Sequence, residues 1–124
     1  MKKMFLVVLV IFIFTPMIHA KTYTKKECKS YAYKQVIKRG WTKSDYNNLV
    51  KLWNKESGWN ARAVNKYSKS CGLGQAYPCS KMRKYGKDYK TNCKVQINWG
   101  LDYIKGRYKN PTKAWRFWQN KHWY

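Results

Sequence analysis

The chain has 124 residues, of which 27 are lysine or arginine and 5 are aspartate or glutamate, so its formal charge at pH 7 is +22. A chain of this length supports one modest hydrophobic core and excludes a second large domain. Its charge favours an anionic partner, for which the candidates are a cell-wall polymer, a membrane surface and nucleic acid. The alternative is that the lysines only keep the protein in solution.

The first twenty residues have the layout of a secretory signal peptide. Lys2 and Lys3 precede an apolar run over 4–14, and Ala20 is a small residue suited to cleavage. The run is shorter than the ~20 residues that span a bilayer as a permanent helix. We therefore predict a signal peptide over 1–20 and a single domain over 21–124, secreted or periplasmic and without a stable membrane span. An uncleaved anchor is the alternative.

All four cysteines lie in the part predicted to be exported: Cys28, Cys71, Cys79 and Cys93. An even number in an oxidising compartment indicates two disulfides. Four cysteines allow three pairings, and we favour Cys71 with Cys79 and Cys28 with Cys93, because the first pair brackets one short loop. The spacings do not match the usual structural zinc patterns, and we expect no metal and no cofactor.

Helical patterns begin soon after the predicted cleavage point. Apolar residues at helical spacing predict a first helix over 28–38. Thr42 and Asp45 resemble a capping box, and the apolar residues that follow predict a second helix over about 44–57. Gly58 is suited to end this helix in a left-handed conformation.

Periodicity is lost over 59–90, where we predict loops with a short hairpin around 70–77. Apolar residues between Val95 and Tyr108 restore a helical stripe, and Asn110-Pro111 supplies the start of a last helix. The sequence thus predicts a small, mainly α (α+β) single domain in which helices surround one ordered loop region.

Acid/base chemistry has few candidates in this chain. The predicted mature part holds one histidine and five acids: Glu27, Asp45, Glu56, Asp88 and Asp102. Only Glu56 combines an inward-facing helical position with aromatic neighbours in the sequence, Trp53 and Trp59. Burial against rings disfavours the charged carboxylate and raises its pKa, as a general acid near neutral pH requires. The alternative is that Glu56 pairs with a lysine or caps a helix.

Three ordered motifs resemble the signatures of soluble lytic transglycosylases of the lysozyme superfamily. Glu56-Ser57 matches their Glu-Ser pair, and 72–75 matches Gly-Leu-x-Gln. The stretch 96–104 resembles Asn-Ile-x-x-Gly-x-x-Tyr-Leu, with Gln96 in place of Asn and Ile104 in place of Leu.

The stretch 75–82 and the C-terminal segment 115–124 also resemble the C-terminal domain of aggregation-promoting factors and related secreted proteins. The two resemblances together cover roughly 45–124. They imply a compact lysozyme-like fold in which Glu56 ends a helix at the floor of a glycan cleft.

The resemblance also implies roles for three further residues. Ser57 would orient the leaving sugar or Glu56, Gln75 would bind the substrate from the cleft wall, and Tyr103 would set the position or protonation of the Glu56 carboxyl. For Ser57 the alternative is an ordinary helix end, and for Tyr103 a core aromatic residue.

The implied activity is cleavage of the bond between N-acetylmuramic acid and N-acetylglucosamine in peptidoglycan, with one glutamate and a 1,6-anhydro product. Glycosidases that use water usually need two carboxylates, so the scarcity of acids favours transglycosylation over a hydrolytic muramidase, for which Asp88 is the candidate second group. The rivals are a non-enzymatic cationic antimicrobial or wall-binding module and a nucleic-acid binder, which predicted export disfavours. We expect a monomer that binds peptidoglycan strands and an anionic envelope surface.

Overall fold

The computed structural model describes residues 7–13 and 22–124. The predicted signal peptide over 1–20 lies mostly outside the described residues, as does its cleavage point. Residues 7–13, within the apolar run, are exposed and have no regular secondary structure. Among the described helices, none has the length and apolar character needed to cross a membrane.

Four α-helices and one 3-10 helix form the domain. In chain order they are α1 (Lys25–Lys38), α2 (Lys43–Ser57), the 3-10 helix (Cys79–Tyr85), α3 (Cys93–Tyr108) and α4 (Pro111–Lys121). This confirms the predicted mainly helical fold. The hairpin predicted around 70–77 consists of isolated bridges instead of strands, since Cys71 pairs with Val64 on one side and with Ala76 on the other.

Hydrogen bonds close in sequence fix where the first two helices begin. Thr24 and Glu27 form a capping box at the start of α1, and Thr42 and Asp45 form one at the start of α2. Because Thr24 accepts from the backbone of Glu27, α1 begins earlier than its apolar spacing predicted. α4 begins at Pro111, as predicted.

The main core lies where α2 meets α1, α3 and α4. Trp53 of α2 has no exposed surface, and Gly100 of α3 permits its close approach, because a Cβ at Gly100 would lie 2.6 Å from Cζ2 of the indole. Asp45 at the start of α2 accepts a 2.6 Å hydrogen bond from the Thr112 hydroxyl of α4. Burial raises the pKa of Asp45, but bonds from Thr112 and Thr42 outweigh it and lower that pKa. Asp45 is therefore a structural carboxylate.

Both favoured disulfides are present. Cys28 of α1 bonds to Cys93 of α3, and Cys71 of the bridged loop bonds to Cys79 of the 3-10 helix. Cys28 and Cys93 are buried in the main core, so their disulfide joins α1 and α3 within it. Two disulfides agree with the oxidising compartment predicted from the cysteine count.

One buried side chain holds the loop region together. Gln96 of α3 is 1% exposed. Its Oε1 accepts from the backbone nitrogen of Leu73 at 2.9 Å, and its Nε2 donates to the carbonyls of Ala61 and Tyr89 at 2.9 and 2.8 Å. Gly72 has φ of 79°, and a Cβ there would lie 2.6 Å from the Gln96 amide. This amide therefore sets the position of the loop that carries Gln75.

Candidate active site

Glu56 lies in the last turn of α2 and lines a cleft of about 260 Å³. Gly58 ends α2 with φ of 60°, as predicted, and its N–H donates to the Asn54 carbonyl at 3.0 Å. The facing walls come from the loop region and the C-terminal segment. They include Asn65, Ser68, Ser70, Gln75, Trp123 and Tyr124.

The Glu56 carboxylate is half-buried and has no cationic partner. Burial raises its pKa above the ordinary value, and a hydrogen bond from the Trp118 side chain opposes this shift. Within 7–13 and 22–124 the one salt bridge joins Arg39 to Asp102, although the chain holds 27 lysines and arginines. Among the described residues Glu56 therefore pairs with no lysine, and no cation is among the causes that shift its pKa.

The rings beside the Glu56 carboxylate come from the C-terminal segment. The Trp118 side chain lies close enough to lower the pKa of Glu56, and Tyr124 lies close enough for the Glu56 charge to act on its phenol. Burial first, and the Glu56 charge second, raise the pKa of Tyr124 well above its ordinary value. The predicted neighbour Trp59 instead lies in the core, 1% exposed, where its Nε1 donates to the Val50 carbonyl at 3.1 Å.

The Tyr124 hydroxyl joins three parts of the chain beneath the cleft. It accepts from Nε1 of Trp53 in α2 at 2.8 Å and donates to the Gly74 carbonyl in the loop at 2.9 Å. A Cβ at Gly74 would lie 2.6 Å from that hydroxyl. Tyr124 is not among the site residues predicted from the sequence. Gly74, at the variable position of the Gly-Leu-x-Gln motif, was the one local signal of a close approach there.

Two of the predicted site residues lie at the loop wall. Gln75 lines the cleft with φ of 54°, and its Nε2 donates to the Gly72 carbonyl at 2.9 Å. The Ser57 hydroxyl donates to the Leu73 carbonyl at 2.8 Å and to the Trp53 carbonyl at 3.2 Å. Ser57 thus ties the loop to the end of α2, and its action on the leaving sugar stays a prediction.

Tyr103 reaches the cleft only through another ring. It stacks on Trp99 with centroids 5.2 Å apart, and its edge contact with Tyr124 has a centroid distance of 5.7 Å. Its hydroxyl accepts from Nη1 of Arg107 at 3.2 Å. Any influence of Tyr103 on Glu56 would therefore pass through Tyr124.

The remaining carboxylates of the helical domain are engaged elsewhere. Asp88 accepts a 2.9 Å bond from Nδ2 of Asn92 at the start of α3, and Asp102 is exposed, as predicted, and bonded to Arg39. Of the described residues lining the cleft, Glu56 is the one with a side-chain carboxylate. No cluster of His, Cys, Asp and Glu within the described ranges could hold a metal ion.

Comparison of the chain with protein-family models, with curated proteins and with solved structures finds no match. The function must therefore be inferred from the chemistry of the cleft. Burial favours the protonated form of the Glu56 carboxyl, from which a proton can be donated, and the Trp118 side chain acts in the opposite direction by favouring the carboxylate that results. This arrangement suits a single group that acts first as acid and then as base.

Proposed function

We propose that this protein is a peptidoglycan lytic transglycosylase with Glu56 as its acid/base. The observation that carries the proposal is a half-buried carboxylate, unpaired with any cation, at the end of a helix and facing a polar loop wall. The resemblance of Glu56-Ser57, 72–75 and 96–104 to transglycosylase motifs supports the same chemistry.

In the proposed reaction, Glu56 gives its proton to the oxygen between N-acetylmuramic acid and N-acetylglucosamine. The bond from that oxygen to C1 breaks, and an oxocarbenium-like centre develops on the muramic acid ring. The Glu56 carboxylate then removes the proton of the C6 hydroxyl of the same sugar, and the C6 oxygen bonds to C1. The products are a 1,6-anhydro end and a free sugar hydroxyl, and Glu56 is again protonated.

This route needs neither water nor a second carboxylate, whereas most glycosidases that use water need two. The lining of the cleft supports this route, because Glu56 is the one described residue there with a side-chain carboxylate. Burial favours the protonated form before bond cleavage, and the Trp118 side chain stabilises the charged form after it. The raised pKa of Tyr124 keeps its phenol protonated beside them.

The test is mass spectrometry of the fragments that the oxidised protein releases from purified peptidoglycan. We expect anhydromuropeptides from the wild type, none from Glu56→Gln, and a wild-type yield from Glu27→Gln, the same change at a carboxylate that only caps α1. Reducing-end muropeptides would instead indicate a hydrolytic muramidase and make Asp88→Asn the next variant. Equal release by the wild type and Glu56→Gln would contradict the proposal.

The charge of +22 favours a second candidate, a cationic wall-binding or antimicrobial module without enzymatic activity. Such a module would bind or kill through its lysines, so its effect would fall steeply with salt and survive Glu56→Gln. Bacterial killing that is equal for the wild type and Glu56→Gln, with no fragment released by either, would establish it.

A further inference from the structure

A second and larger cavity, of about 730 Å³, lies between the 3-10 helix and α3. One wall carries Lys81, Arg83 and Lys84 of the 3-10 helix, and the other carries Trp99 and Tyr103 of α3. We call this cavity the cationic groove. The three cations are exposed at its edge.

The carboxylate that lines the cationic groove is already neutralised. Asp102 accepts from Nη2 of Arg39 at 3.1 Å and from the Tyr85 hydroxyl at 2.7 Å. Burial raises the pKa of Asp102, but the bonds from Tyr85 and Arg39 outweigh it and hold that pKa below its ordinary value. Among the described residues this is the one salt bridge, so Lys81 and Lys84 face the groove without an acidic partner.

The opposite wall is flat and adjoins the Glu56 cleft. Trp99 and Tyr103 stack with their ring planes 21° apart. Tyr103 then contacts Tyr124, which lines the Glu56 cleft, at a centroid distance of 5.7 Å. The contact between Tyr103 and Tyr124 therefore joins the linings of the two cavities, and a peptide branch gains ~3.3 Å of reach with each residue.

We propose that the cationic groove binds carboxylates of the peptides that branch from a peptidoglycan strand lying in the Glu56 cleft. Lys81 and Lys84 pair with the carboxylates, and the half-buried Tyr103 ring, backed by Trp99, which is only 8% exposed, packs against the apolar part of the peptide. The position of the groove beside the cleft favours such a branch over a separate phosphate polymer. This inference rests on the proposed function, in which the Glu56 cleft binds the glycan strand. It adds the acidic peptide as a second part of the substrate that the protein recognises.

The experiment measures binding in Glu56→Gln protein, so that cleavage does not interfere. Two ligands are compared, peptidoglycan strands that keep their peptides and strands from which the peptides have been removed. In this background Lys81→Gln/Lys84→Gln is matched by Lys26→Gln/Lys38→Gln, which removes the same charge from exposed positions on α1. The two single variants and thermal unfolding of each protein control for misfolding.

We expect Lys81→Gln/Lys84→Gln to weaken binding of peptide-bearing strands about tenfold, and binding of peptide-free strands less than about twofold. Equal losses on both strands, or the same losses in the α1 variant, would overturn the proposal, since the lysines would then act only through net charge.

Failure of the proposed function is recognised separately. If the wild type releases no anhydro product while Lys81→Gln/Lys84→Gln still weakens binding of the peptide-bearing strands selectively, the cleavage proposal fails and the groove proposal stands. If the wild type cleaves but Lys81→Gln/Lys84→Gln weakens binding of both strands equally, the reverse holds.

Discussion

The Tyr124 hydroxyl accepts a 2.8 Å hydrogen bond from the indole nitrogen of Trp53, across 71 residues of chain. The same hydroxyl donates to the Gly74 carbonyl at 2.9 Å. Trp53 lies one helical turn before Glu56, so this contact couples the helix that carries the carboxylate to the C-terminal segment and to the loop wall. The cleft depends on these three parts staying together.

Removal of that hydroxyl should loosen all three parts at once. Tyr124→Phe leaves the Trp53 N–H and the Gly74 carbonyl without their partner, and we expect a loss of about 1–3 kcal/mol in the free energy of unfolding. Urea denaturation measures it. Tyr67→Phe is the control, because Tyr67 is 84% exposed and should change stability by less than about 0.5 kcal/mol. Equal midpoints for the two variants would contradict the bridging role.

Gly74 should accept no side chain. A Cβ there would lie 2.6 Å from the Tyr124 hydroxyl and 3.2 Å from Nε1 of Trp53, so we expect Gly74→Ala to cost about 1–3 kcal/mol. When Gly74→Ala is combined with Tyr124→Phe, the loss of unfolding free energy should be smaller than the sum of the two single losses, because the hydroxyl that clashes with the new Cβ is absent. Gly106→Ala on α3, with nothing within 4 Å of its Cβ, should stabilise by about 0.5–1 kcal/mol. Additive losses would show that the clash is elsewhere.

Glu56 should lower the stability of the fold that holds it. Burial raises its pKa in the folded state, so the folded protein favours the protonated form. The stabilisation that the folded protein gains from protonated Glu56 is fully present below the ordinary pKa of a glutamate, and it is lost as the pH rises through the raised pKa. At pH 7 Glu56→Gln should therefore unfold about 2–4 °C higher than the wild type.

The difference should close as the pH is lowered, because both side chains are then neutral. Thermal unfolding between pH 3 and 8 tests this, with Glu27→Gln as the matched change at an exposed capping site. A Glu56→Gln protein that is less stable than the wild type at pH 7 would show that the carboxylate is stabilised in the folded state.

The two disulfides should have different consequences. Cys28–Cys93 spans 65 residues and Cys71–Cys79 spans 8, so replacing the first pair by alanine should cost about 4 kcal/mol and the second about 2–3 kcal/mol. Denaturant unfolding measures both. The loop closed by Cys71–Cys79 holds Gln75 at the cleft. Removal of this disulfide should therefore reduce strand cleavage by more than the accompanying loss of stability explains. A larger stability loss for the shorter pair would contradict the loop-length argument.

The parts of the fold that the sequence predicted well are those that local bonds determine. α2 runs to Ser57 and begins within one residue of the expected position, because Thr42, Asp45 and Gly58 fix its ends through contacts a few residues away. Thr24 gives α1 the same kind of start. The Thr24 and Glu27 pair is equally visible in the sequence, whereas the apolar spacing by itself places the start of α1 at residue 28.

The surroundings of Glu56 depended on contacts that no local pattern encodes. Apolar spacing showed that the carboxylate faces inward but not which rings would meet it, so Trp59 was expected where Trp118 and Tyr124 lie. These partners are more than 60 residues away in sequence. Gly74 predicts a close approach without identifying the hydroxyl that approaches.

Gln96 has a wider consequence for how this domain could change. Its amide fastens three stretches, at Ala61, Leu73 and Tyr89, that have no sheet among the described residues to align them. Gln96 therefore ties the cleft wall to α3, as Ser57 ties it to α2 and Tyr124 ties it to the C-terminal segment. A single change at Gln96 would therefore remove one hydrogen bond from each of three stretches at once, whereas a change in one of those stretches would act on that stretch alone.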